Sequence, residues 1–128
     1  MKIGLTSVLV DDQAKALKFY TGVLGFEKQV DLPMGEHRWL TVVSPEGAAG
    51  VELLLEPISL TEARTYQQAL LTNGIPTAVF FTDDIQAEYK RLKTEGVVFK
   101  SEPHKTGPVL SAVFEDTCGN LINLTQYL

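Results

Sequence analysis

Val8-Leu9-Val10-Asp11-Asp12 is a short apolar run closed by two acids, and Phe80-Phe81-Thr82-Asp83-Asp84 repeats it, with 72 positions separating Asp12 from Asp84. A stretch of helical periodicity follows each run. In the first, Ala16, Leu17, Phe19, Tyr20, Val23 and Leu24 recur at three- and four-residue spacing until Gly25; in the second, Ala87, Tyr89, Leu92 and Lys93 lead to Gly96. Apolar residues at that spacing, ended by glycine, describe an amphipathic helix with a left-handed C-terminal cap. Each half therefore opens as strand, acidic turn, helix, glycine.

The remainder of each half also repeats. Arg38–Val43, the turn Ser44-Pro45-Glu46-Gly47 and Val51–Leu55 read as strand, turn, strand, and so do Val109–Phe114, Asp116-Thr117-Cys118-Gly119-Asn120 and Leu121–Leu124. Gly47 and Gly119 occupy equivalent places, where a hairpin turn asks for positive φ. A further strand is expected in each half, near Glu27–Leu32 and Val97–Ser101. The fold class is thus α+β: two tandem βαβββ modules, about 1–57 and 75–128. A helix near 60–73 joins them, opened by Ser59 with Glu62 at capping-box spacing or by Thr61 as a rival cap, and stopped by Asn73-Gly74. This is a duplicated module and not a doubly wound sheet.

Composition fits one such domain. A chain of 128 residues, 45% hydrophobic, buries a sufficient core without disulfides or metal. The net charge of −5 carries no basic stripe, which argues against nucleic acid as a partner. No apolar run approaches the ~20 residues of a membrane helix. The amino terminus shows no secretory signal pattern, so a cytoplasmic protein is expected. Cys118 is the single cysteine; it permits neither an intrachain disulfide nor a multi-cysteine metal site, and it reads as a small turn residue.

Val10-Asp11-Asp12, Ala16, Phe19-Tyr20 and Leu24-Gly25-Phe26, followed by a second module ending in Asp116-Thr117-Cys118-Gly119-Asn120, resemble the vicinal oxygen chelate superfamily. That group holds glyoxalase I, bleomycin-resistance proteins, fosfomycin-resistance enzymes and extradiol dioxygenases. The resemblance implies curved mixed sheets around a cavity, a small organic ligand and a homodimer. It also implies four metal-ligand places, which fall here on Leu5, Glu52, Thr77 and Asn123. Leucine offers no lone pair, and threonine and asparagine are weak donors beside imidazole or carboxylate, whereas a catalytic divalent ion needs about three protein ligands. No cofactor is therefore expected. The alternative is a divalent metal serving a glyoxalase-like lyase or isomerase, or a dioxygenase, with His37 or His104 recruited to a displaced site.

Among the polar candidates, Glu52 stands between Val51 and Leu53 and is the carboxylate expected to act in the pocket, as a base or as a fixed binding group. His37 enters a strand at the cavity mouth, while His104 lies in a proline-bracketed loop. Arg38 and Trp39 must face opposite sides of a regular strand. An inward Trp39 supplies a stacking wall; an inward Arg38 pairs with Glu52 or clamps an anion. The sequence leaves that register open. Arg38, Trp39, Glu52, Thr77, Asn123 and His37 are the expected ligand-binding residues.

Overall fold

A computed structural model describes residues 1–128. The elements are β1 (Leu5–Val10), α1 (Gln13–Leu17) continued by a π-helical turn (Lys18–Val23), β2 (Glu27–Met34), β3 (His37–Val43), β4 (Glu52–Pro57), α2 (Thr61–Thr72), β5 (Ala78–Phe81), α3 (Ile85–Thr94), β6 (His104–Thr106), β7 (Val109–Glu115) and β8 (Leu121–Tyr127). The strands form two curved, open four-stranded sheets of the same plan, β1-β4-β3-β2 and β5-β8-β7-β6. In each, the opening strand lies parallel to the closing one and the remaining pairs are antiparallel. The chain divides into two compact units, Met1–Tyr66 and Gln67–Leu128, with the boundary inside α2.

The repeated acids have a definite job. Asp12 accepts the Lys15 backbone N–H and Asp84 accepts that of Ala87, both at 3.0 Å, so each acid is the N-cap of its helix. Gly25 and Gly96 end the helical segments at φ 87° and 89°. The first segment does not stay α-helical. The Thr21 hydroxyl donates to the Leu17 carbonyl at 2.6 Å, taking the acceptor that an α register gives to the Thr21 N–H. The wider π register follows, with the Leu24 N–H on the Phe19 carbonyl.

The face of each sheet toward its helix is the core. In the first unit Val8, Val10, Leu40, Val42 and Leu55 are buried together with Ala16, Phe19 and Tyr20. In the second, Ala112, Phe114, Ile122 and Leu124 are buried with Ile85 and Leu92 of α3.

Two expectations need correction. The strand expected at Val97–Ser101 reduces to one bridge, Phe99 to Phe114, and the edge strand is β6 instead. Pro103 explains the break, since it has no N–H to carry pairing from Ser101 into His104. In the first hairpin the positive φ belongs to Gly50, at 80°, and not to Gly47, whose N–H closes a turn onto the Ser44 carbonyl at 3.1 Å.

Candidate ligand-binding site

Strand register decides which side chains share the face away from the helix. Leu5 pairs with Glu52, Leu9 with Glu56, Thr41 with Leu54, Trp39 with Leu32 and His37 with Met34. Side chains alternate along each strand. One face of the first sheet therefore carries Leu9, Glu52, Leu54, Glu56, His37, Trp39, Thr41, Leu32 and Met34.

Trp39 is the inward residue of its pair. It lies in an open pocket of about 320 Å³ whose apolar lining also includes Leu9, Leu54, Met34, Pro57, Leu60 and Ala63. His37, Glu56 and Ser59 are its polar groups. Trp39 keeps 36% of its surface exposed, so an incoming molecule can reach its ring. Arg38 is on the other face. Its Nε and Nη2 donate to the two carboxylate oxygens of Asp31 at 3.0 and 2.7 Å, and the pairing with Glu52 does not form. Those bonds, helped by the charges of Arg38 and Lys28, hold the Asp31 carboxyl below the ordinary carboxylate range.

Gln13 was not visible as a site-shaping residue in the sequence. Its Nε2 donates to the carbonyls of Arg38 (2.7 Å) and Leu55 (2.9 Å), and its Oε1 accepts the Arg38 N–H at 3.0 Å. β3 and β4 pair only at Thr41–Leu54 and Val42–Leu53. Beyond that point the strands part, and one glutamine side chain satisfies the freed backbone groups at the pocket's edge. Glu56 was missed as well. It lies four residues beyond Glu52 on the same face, and the strand's period of two was the signal available for it.

Glu52 does not line that pocket. It accepts a 2.6 Å hydrogen bond from the buried Thr41 hydroxyl, whose oxygen accepts the Val30 N–H at 3.2 Å. Its register partner is Leu5, which has no donor atom for a metal.

In the second unit, Thr77 gives its backbone N–H to the Leu121 carbonyl at 2.9 Å. Asn123 pairs with Val79 and Val113, and Thr125 with Phe81 and Ser111, all on the face away from α3. Asn123 Oδ1 and Thr125 Oγ1 are buried without a hydrogen-bond partner. Phe81 and Tyr127 stack on the same face at 5.0 Å and stay largely exposed. His104 is exposed on β6, its Nδ1 3.1 Å from the Glu102 carbonyl.

The donor set does not fit the superfamily's divalent metal. Of the four implied places only Glu52 is a strong ligand, and a hydroxyl already occupies one of its oxygens. No three His, Cys, Asp or Glu side chains converge anywhere in the chain.

Residues 2–124 match the family model for the Glyoxalase/Bleomycin resistance protein/Dioxygenase superfamily. The chain belongs to that superfamily. Among curated relatives, the uncharacterized protein YurT of Bacillus subtilis (strain 168) is 53% identical over 126 residues, 98% of this chain and 99% of that protein. Among solved structures, UcmS2 superposes with a TM-score of 0.82 at 33% identity, covering 98% of this chain and 97% of its own. TnmS3, an antibiotic binding protein from Streptomyces sp. CB03234, superposes with a TM-score of 0.76 at 32% identity, covering 100% and 97%. Superfamily membership accounts for the duplicated sheets, but one scaffold hosts many chemistries, so function has to be argued from the pocket.

Proposed function

We propose that the protein binds a small organic molecule on the inner face of its first unit, with a flat ring of the ligand stacked on Trp39, and that it acts as a binding protein without a resident metal. The observation that carries this is the open pocket itself. Its volume is at the lower end of the ~300–1,000 Å³ usual for small-molecule sites, its walls are aliphatic, and an accessible indole forms one side. Few polar groups converge there, as suits a site that selects by shape and stacking. The likeness to an antibiotic binding protein supports the same reading.

Trp39 is the only tryptophan, so its fluorescence reports on the pocket directly. A screen of aromatic natural-product antibiotics should yield molecules that both raise the melting temperature and alter that fluorescence. Trp39→Ala should weaken their binding by about tenfold or more, since a stacked ring contributes its buried area and its face-to-face contact together. Binders indifferent to Trp39→Ala would refute the site. Elemental analysis of protein purified without chelator tests the rest: stoichiometric zinc, nickel, manganese or iron retained through dialysis would overturn the metal-free assignment.

A further inference from the structure

The first sheet separates its charges by face, and from that separation we infer that the pocket selects a cationic aromatic ligand and rejects anionic ones. The inference rests on the binding function proposed above and adds the ligand's charge to it. The register turns Glu27, Glu52 and Glu56 toward the inner face, and His37 is the single basic side chain that the strands of this sheet present there. Lys28 and Arg38 fall on the opposite face, where both engage Asp31. Lys15 and Lys18 belong to the helical segment, and Lys15 pairs with Asp11. Neither Lys2 nor Arg64 lines the pocket. No lysine or arginine is among the residues that line the pocket.

Glu56 makes the consequence specific. It is half-buried in the pocket wall beside Leu9 and Leu54, and no side chain of the protein offers it a hydrogen bond or an ion pair. A carboxylate drawn partly out of water and left unpaired is incompletely solvated, and a ligand ammonium or amidinium restores what the fold withholds. An aromatic cation gains again at the indole, whose negative face attracts positive charge. A carboxylate or phosphate on the ligand meets only repulsion from Glu56. The net charge of −5 acts in the same sense at longer range.

Three congeners of one size separate the possibilities: 1-naphthylmethylammonium, 1-naphthylmethanol and 1-naphthoate, titrated into the full chain labelled with nitrogen-15. The single indole N–H resonance of Trp39 reads occupancy. The cation should bind about fivefold tighter than the alcohol and the alcohol tighter than the anion, as a partly exposed charge pair of about 1 kcal/mol gives. Half-molar salt should narrow the spread. Glu56→Gln keeps the shape and should merge the cation's affinity with the alcohol's. Salt dependence of the unaltered protein gives a second measure should that variant fold poorly. Equal affinities, a preference for the anion, or a cation preference that survives both Glu56→Gln and salt would overturn the charge assignment and leave the pocket standing. Failure of all three to move the Trp39 resonance would remove the pocket and the charge assignment together.

Discussion

The hairpin turns of the two units stand at equivalent places but are held by different means. Ser44-Pro45-Glu46-Gly47 closes with one backbone bond, Gly47 N–H to the Ser44 carbonyl, and its residues are largely exposed. In Asp116-Thr117-Cys118-Gly119-Asn120 a fully buried Asp116 accepts the N–H groups of Cys118 and Asn120 and the Asn120 side-chain amide at 2.8–3.0 Å. Gln67 of α2 then donates to the Cys118 carbonyl and to Asn120 Oδ1. Thr117 holds a left-handed φ of 65°, and a Cβ on Gly119 would come within 2.8 Å of Gln67 Oε1. A duplicated architecture therefore does not duplicate its fastenings. One turn is free to vary, and the other is an interlocked polar core.

Substitution should expose that difference first. Asp116→Ala strands three buried donors and should cost about 3–4 kcal/mol in urea denaturation, whereas Glu46→Ala should stay within about 0.5 kcal/mol. Similar losses from the two variants would mean that the turns are equivalent after all.

The inner faces give a smaller contrast. Thr41 in the first unit has both its donor and acceptor capacity used, but Thr125 in the second has a hydroxyl with no partner and only 4% of its surface exposed. Thr125→Val removes an unsatisfied group without changing shape, so stability should hold or rise by up to about 1 kcal/mol. Thr41→Val should lower it, because Val30 N–H and Glu52 lose their partner. A clear loss from Thr125→Val would show that its hydroxyl is engaged.

The mildest effect belongs to Asp31 on the outer face of the first sheet. A carboxylate with a depressed pKa stabilises the fold above its unfolded value, ordinarily 3.8, and that contribution is lost as pH falls through the lower folded value. Asp31→Asn should melt slightly below the unaltered protein at pH 7. The gap should close as the solution is acidified past about pH 4, and a gap that persists unchanged there would assign it to packing.

The parts of this molecule that were legible in its sequence are those written locally. An acid that closes an apolar run ahead of a helical stretch, a glycine where the helix stops and a second copy of both some seventy residues later state the two-module plan, and the caps at Asp12 and Asp84 are where that pattern puts them. The facing of Arg38 and Trp39 was not legible, because register is passed along from strand to strand and a bulge between Lys28 and Val30 interrupts it. Gln13 and Gln67 left no trace either. Each uses an amide to satisfy groups far away in sequence, and nothing in the residues around a glutamine announces such a partner.

Strand β2 is eight residues long and forms the outer margin of its sheet, with a whole row of backbone groups facing away from β3. Left flat, such a margin invites a strand from another molecule and seeds aggregation. The bulge at Lys28–Val30 twists one end of it, and Pro33 deletes a donor near the other. Both features work against edge-to-edge growth along β2, on a strand that leaves the apolar side chains of Leu32 and Met34 uncovered.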